Sequence, residues 1–469
     1  MTRRPNVLML VADDHRMGAI GAQGDLCVRT PVFDALMAEG VSFDRTHISG
    51  AFYGAVCAPS RASILTGNGV FSATASCDVD SPRGSETVNP ALATLPGTFR
   101  DAGYRTHAIG KWHNDRRTLN MGFTGGSRLF FGGMSDHWAV PLREYDPEGL
   151  YPDAAVTIGD GFSTELFADA AIDFLETYAG DDPFFLWVAF TAPHDPRTPP
   201  SPYAEMYDAA SVPLPPNAWA RHPFDTGDMT VRDERLAAYP RDPAEIRQHI
   251  ADYYGMISHL DAQIGRILAA LDRRQLADET IVVYTADHGL AVGQHGLMGK
   301  QNLYQHSITV PLLMRGPGLE SGRRISALTA NTDIFPTLCT LAGIAVPETV
   351  QGVDLLPLLA DDAQPVRHRV FAAYRDVQRM VSDGQWKLIR YSVSEKTGEG
   401  SDAFQLFDLA NDPWECRDRS GEGALTEVRM RLLAELDAWQ RSVGDALAGG
   451  EYPRPPHPDP GHCARIGGA

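Results

Sequence analysis

No stretch of the chain approaches the ~20 apolar residues that a membrane-crossing helix needs. Its first apolar run, residues 7–12, is too short for a signal peptide and ends in two aspartates. There is no Asn-x-Ser/Thr sequon, which removes one mark of eukaryotic secretion, and no Cys-x-x-Cys pair. Cysteine is scarce: the 6 thiols, Cys27, Cys57, Cys77, Cys339, Cys416 and Cys463, show no metal-ligand spacing and read as reduced. Positive charge is also in short supply. With 41 Lys and Arg against 60 Asp and Glu, the net charge is −19, which argues against nucleic acid or an anionic membrane surface as a partner. The expectation is a soluble, cytoplasmic protein with neither kind of attachment. An anionic substrate must then be drawn in by a local cationic pocket. A long polyanion would be repelled by the outer surface, which favours a small substrate.

What is present is a chain of 469 residues with 43% hydrophobic content, enough for a large core and two or three domains. Residues 6–12 (NVLMLVA), 183–191 (PFFLWVAFT) and 280–286 (TIVVYTA) are unbroken apolar runs of strand length, as expected for strands buried on both faces of a sheet. Residues 104–109 form a further candidate strand, and 309–314 one more. Apolar residues in steps of three and four predict a long amphipathic helix over 244–271. Shorter helices are expected at 30–40, 95–102, 163–178 and 333–342. Residues 76–89 and the glycine- and aromatic-rich 122–138 read as loops, and 198–243 as a long irregular stretch. Composition changes near 361–367. Beyond it, four short strands and a helix predict a small α+β domain. The expected division is a catalytic domain over 1–365, an α+β subdomain over 366–450 with a four-stranded antiparallel sheet, and a proline-rich tail over 451–469.

The chemistry-bearing residues collect at strand ends: Asp13-Asp14, Lys111 with His113, His194, and Asp287-His288. In open α/β sheets, ligands bind beyond the carboxyl ends of the strands. Asp13, Asp14 and Asp287 are hard oxygen ligands and His288 a borderline one. Together they suit a divalent cation, with calcium, magnesium or manganese favoured over zinc. The segment CAPSRASILTG, residues 57–67, has a proline suited to the first turn of a helix and an arginine one turn beyond the cysteine. Unpaired N–H groups at such a helix start favour an anion, and Arg61 adds fixed positive charge. Lys111 and Lys300 add more, and His113 and His194 can exchange protons near neutral pH.

Cys57-x-Pro59-Ser60-Arg61 followed by Leu65-Thr66-Gly67 closely resembles the type I sulfatase motif, in which the cysteine is oxidised to formylglycine. Asp13-Asp14, Gly110-Lys111-Trp112-His113, Ala192-Pro193-His194, Asp287-His288-Gly289 and Lys300 fall in that family's order and approximate spacing. The likeness covers about residues 5–440. It implies an α/β, alkaline-phosphatase-like fold: a large mixed sheet between helices, with the smaller C-terminal α+β domain. It also implies a formylglycine-generating maturation enzyme as partner and a small sulfate ester as substrate, a sulfated carbohydrate or another small monoester. The metal would rest on Asp13, Asp14, Asp287 and His288, with residue 57 contributing a hydroxyl. Cys57 as formylglycine hydrate would attack sulfur, with His194 and Lys300 holding the sulfate and assisting the departing alcohol. His113 would then deprotonate the second hydroxyl to expel sulfate, while Arg61 and Lys111 hold the hydrate. His288 stands where the family often has asparagine, which leaves the choice of metal open.

Outside the general motif, Asp136 and His137 are expected to contact substrate. The nearest rival function is hydrolysis of phosphonate monoesters or phosphodiesters by the same machinery. Asp14 bears against it, because those hydrolases tend to have a neutral residue there. A rival of another class is a non-catalytic binder of sulfated glycans.

Overall fold

The computed structural model describes residues 4–75, 88–361 and 364–449. The loop expected at 76–89 and the proline-rich tail therefore lie almost wholly outside the described residues.

A nine-stranded mixed sheet organises the larger part. Its order runs Arg323–Ile325, Val41–His47, Thr309–Arg315, Thr280–Ala286, Asn6–Ala12, Phe184–Ala189, Arg105–Lys111, Gly125–Phe130, with Thr329–Ala330 also pairing on Val41–His47. Asn6–Ala12 lies at the centre, parallel to both neighbours, with Ala12 opposite Ala286 and Val11 opposite Ala189. The pleat divides it between two cores. Leu8, Leu10 and Ala12 enter one with Phe33, Leu166 and Ile264, while Val7, Met9 and Val11 enter the other with Ile64, Leu65 and Leu338. An apolar run without alternation is what a strand covered on both faces requires. The layers follow: the helices Pro31–Glu39, Ser163–Thr177 and Pro243–Arg273 on one face, Cys57–Thr66 and Ile334–Leu341 on the other. The long helix starts where Asp242 accepts from the N–H groups of Ala244 and Glu245, with Pro243 in its first turn. No helix among the described residues is long and apolar enough to cross a membrane.

Three expectations change. Within the loop expected at 122–138, residues Gly125–Phe130 form an edge strand parallel to Arg105–Lys111. Val41–His47 is a strand that its polar residues hid. The C-terminal sheet has five strands, not four. Ala403–Asp408, Trp386–Tyr391, Gln378–Ser382 and Val370–Tyr374 are antiparallel, and Gly50–Ala51 from the N-terminal part adds a parallel fifth. The helix Thr426–Ser442 covers this sheet through Leu432, Leu433 and Leu436. Gly50 has φ of +90°, and a Cβ there would collide with the carbonyl oxygen of Ala373. Only glycine allows the two backbones to meet so closely.

Candidate active site

The parallel strands deliver their carboxyl ends to one edge of the sheet. Asp13 follows Ala12, and Asp287 follows Ala286 in the adjacent strand, its N–H donating to the Ala12 carbonyl at 3.2 Å. The Asp13 N–H donates to the Ala192 carbonyl at 3.1 Å, which draws the turn carrying His194 onto the same edge. Lys111 ends the next strand but one. Asp14 and His113 both have positive φ, 69° and 52°, an uncommon backbone state for such residues.

Cys57 is the first residue of the helix Cys57–Thr66, which stops at Gly67 in the left-handed conformation. The thiol is buried, with Sγ 3.1 Å from His288 Nε2 and 3.3 Å from Lys300 Nζ. Burial alone would raise its pKa. Lys111, Lys300 and His288 outweigh that and pull it well below the usual thiol range. One turn on, Arg61 Nε donates to Asp287 Oδ2 at 2.8 Å and Nη1 to the Lys111 carbonyl at 2.8 Å, leaving Nη2 buried without a hydrogen-bond partner. Lys111 pairs with Asp13, and Lys300 Nζ lies 2.9 Å from Asp14 Oδ1. His113 is half-buried on the same cavity floor as Cys57, and burial lowers its pKa.

Asp13, Asp14, Cys57 and His194 present ligand atoms that all lie within 4.8 Å of one another, and so do Asp13, Cys57, Asp287 and His288. Oδ1 of Asp13 and Oδ2 of Asp14 are buried without hydrogen-bond partners. Bare carboxylate oxygens in a closed interior cost more than the ~1–3 kcal/mol of a neutral orphan. Burial and the neighbouring Asp13 push Asp287 upward despite Arg61 beside it. Each carboxylate already meets a Lys or Arg, yet Oδ1 of Asp13 and Oδ2 of Asp14 remain bare, and a divalent cation fits this oxygen-rich donor set.

The site opens into a cavity of about 540 Å³. Cys57, His113, His194 and Lys300 line its floor, and Phe52, Tyr53, Met134, Asp228, Arg232 and Arg375 are among its walls. Asp136 and His137 are not part of its lining. Asp136 is exposed and accepts from the Trp138 N–H at 2.9 Å. His137 is buried: its Nδ1 lies 2.8 Å from Ser163 Oγ, its Nε2 2.9 Å from the His194 carbonyl, and its ring stacks on Phe162. Both ring nitrogens are occupied by protein groups, one of them the carbonyl of His194. The reading of residues alone missed Asp195, Arg232, Asp233 and Gln301, all buried or at the cavity edge. Asp195, next to His194 in sequence, was the one readable signal.

The sulfatase family model matches residues 5–344. The chain belongs to the type I sulfatases. It is thereby placed in the alkaline phosphatase superfamily, and its reaction is the hydrolysis of a sulfate ester. A second model, the C-terminal region of N-sulphoglucosamine sulphohydrolase, matches residues 293–442 and spans the change of composition near 361. The chain is 30% identical to human iduronate 2-sulfatase over 83% of this chain and 81% of that one. It is 27% identical to an N-acetylglucosamine-6-O-sulfatase of Bacteroides thetaiotaomicron, over 95% of this chain and 88% of that protein. Among solved structures, one in complex with its substrate D-glucosamine-2-N,6-O-disulfate aligns with a TM-score of 0.77 at 23% identity, covering 95% of this chain and 99% of that one. The shared fold is the large mixed sheet with the smaller C-terminal sheet.

Proposed function

We propose that this sulfatase acts on a small sulfated carbohydrate, with Cys57 matured to formylglycine by a separate enzyme and a divalent cation, best calcium, beside it. The observation that carries this reading is the setting of Cys57 Sγ: it begins a helix, stands 3.3 Å from Lys300 Nζ, and lies among the carboxylates of Asp13, Asp14 and Asp287. Asp13, Asp14, Asp287 and His288 would hold the cation, and three carboxylates favour calcium, with magnesium or manganese next. Bound there, the cation and the hydrated aldehyde would supply a Lewis acid and an oxygen nucleophile.

The chain's own residues do the rest. Lys111 and Arg61 hold Asp13 and Asp287 in place, and the spare Nη2 of Arg61 offers one more donor to charge building at residue 57. Lys300 and His194 receive the sulfate oxygens and the departing alcohol. His113, which lines the cavity with residue 57, takes up its proton so that sulfate can leave. The cavity is large enough for a sugar unit, and Phe52 and Tyr53 give it apolar faces. Relatives named for sulfated sugars support the carbohydrate as substrate.

Peptide mass spectrometry on the Cys57 fragment should show loss of H₂S with gain of one oxygen. Sulfate release should then be measured on a panel of sugar, alkyl and aryl sulfates beside phosphonate monoesters and phosphodiesters. Preference for sulfated sugars supports the reading, and preference for phosphonates replaces it. Binding of sulfated sugar without turnover, with an intact thiol throughout, would establish a binding protein instead.

A further inference from the structure

The irregular stretch between the Phe184–Ala189 strand and the Pro243–Arg273 helix carries a run of four charged residues, which opens with Arg232, Asp233 and Glu234. Each of these three grips a different segment behind or beside the cavity wall. Arg232 reaches Asp195 with both arms, Nη1 to Oδ2 at 2.5 Å and Nη2 to Oδ1 at 3.0 Å. Asp233 accepts from Gln301 Nε2 at 2.7 Å, and Gln301 Oε1 accepts from the Lys300 N–H at 2.9 Å. Glu234 accepts from the N–H groups of Met298, at 3.0 Å, and Gly299, at 2.9 Å. One short segment thus fixes the chain before and after Lys300, and also the residue that follows His194.

The His194 ring is set by that residue. Its Nδ1 lies 2.8 Å from the Asp195 carbonyl oxygen and 3.3 Å from the Asp195 carboxylate. Asp195 is buried and does not line the cavity, whereas Arg232 is 43% exposed at the cavity wall. A carboxylate held in a two-armed guanidinium fork has one orientation, and a ring that donates Nδ1–H to the carbonyl of that same residue, with the carboxylate 3.3 Å away, is fixed along with it.

We infer that Asp195, clamped by Arg232, is a positioning residue that aims His194 Nε2 at the leaving oxygen. This rests on the role given to His194 above. As the bond between sulfur and the alcohol oxygen breaks, its electron pair passes to that oxygen, which takes the proton from Nε2. The neutral imidazole left behind recovers a proton from water. The carboxylate beside Nδ1–H keeps the ring in place throughout. This service matters for a sugar hydroxyl, which leaves poorly as an alkoxide, and hardly at all for 4-nitrophenolate.

The test compares leaving groups. In mature protein, Asp195→Asn should lower kcat on a sugar sulfate by about 100-fold while changing kcat on 4-nitrophenyl sulfate by no more than about threefold. Arg232→Gln should reproduce the split, and Arg232→Lys should recover part of it. In protein carrying Cys57→Ala, the calorimetric Kd of the intact sugar sulfate should stay within about threefold when Asp195→Asn is added. Equal loss on both esters, or a loss confined to KM and Kd, would overturn the inference. If Asp195→Asn does not fold, Arg232→Gln carries the comparison together with its calorimetric Kd for the sugar sulfate in the Cys57→Ala background, and a Kd weakened more than about threefold would assign the split to a lost sugar contact and overturn the inference. Wild-type protein that releases sulfate from neither ester would overturn the sulfate-ester reading instead. The same alkyl-to-aryl comparison on phosphonate monoesters would then decide the positioning role separately.

Discussion

Lys387 and Glu415 form an ion pair of 2.6 Å with neither side chain exposed to solvent. Lys387 Nζ also donates to Gln305 Oε1 at 3.1 Å, and Glu415 Oε2 accepts from the Gln305 N–H at 2.7 Å. The pair therefore fastens the small sheet to the segment just beyond Lys300. Lys387→Met leaves Glu415 buried without its cation and should destabilise the protein by about 3–5 kcal/mol. Denaturant unfolding measures this. Adding Glu415→Gln should restore part of the loss, and no restoration would mean that the pair is not the cause.

Asp445 and Arg379 form a second buried pair, Nε to Oδ2 at 2.6 Å and Nη2 to Oδ1 at 2.9 Å. Burial would raise the Asp445 carboxyl, but Arg379 outweighs it and holds it below its ordinary 3.8. A carboxyl whose folded pKa is depressed contributes stability above its unfolded pKa and loses it as pH falls through the folded value. Asp445→Asn should therefore lower Tm at pH 7, and the gap to wild type should close as pH drops below about 4. A gap independent of pH would assign the effect to packing.

The proposed cation makes a prediction that can be read in stability as well as in turnover. Chelation should abolish sulfate release and lower Tm, and added calcium should restore both. Free ion at 100 times its Kd would add about 2.7 kcal/mol to the folded state. Asp287→Asn should blunt the calcium-dependent rise in Tm. A rise of unchanged size would remove Asp287 from the ligand set.

Gly50→Ala should do more harm than its size suggests. The added methyl meets the Ala373 carbonyl, and the backbone is already at φ +90°. The strand Gly50–Ala51 would part from Val370–Tyr374, lowering Tm and raising KM through the displaced Arg375. Ala51→Gly serves as the control, since it removes a methyl without forcing the backbones apart. Equal KM values in the two variants would detach the strand pairing from the cavity.

Where burial is complete on both faces, the sequence announces the strand. Thr280–Ala286 has no polar side chain between two threonines and was readable at a glance. Val41–His47 was not, because Ser42 and Thr46 look like surface residues. Both are buried, and Thr46 Oγ1 meets Thr329 Oγ1 at 2.9 Å, a partner 283 positions away. The glycines of Gly125–Phe130 hid an edge strand in the same way. At the site, the carboxylates, histidines and Lys111 were readable because each follows an apolar run or belongs to a contiguous motif, whereas Lys300, in a glycine-rich loop, was placed by its position in the family's order. The clamp was not. Arg232 finds Asp195 37 positions away and Asp233 finds Gln301 68 positions away, and no local pattern encodes such distances. His137 misled for the opposite reason. A polar residue in a glycine-rich loop suggests an exposed contact, but Ser163, Phe162 and the His194 carbonyl enclose it.

The fifth strand of the small sheet gives the two ends of the chain different work at one cavity. The end of the cavity proposed to meet sulfate is built from the carboxyl edge of the large sheet. Arg375, on the hairpin after Val370–Tyr374, stands in the opposite wall, brought there because Tyr374 pairs with Ala51 six residues before Cys57. Variation in that hairpin, in Asp228 or in Phe52 and Tyr53 would reshape the receptor for the alcohol while leaving the bond-breaking apparatus in place. A chimaera exchanging only residues beyond 366 between related enzymes would thus transplant half of a selectivity filter and need the matching residues 50–53 to complete it.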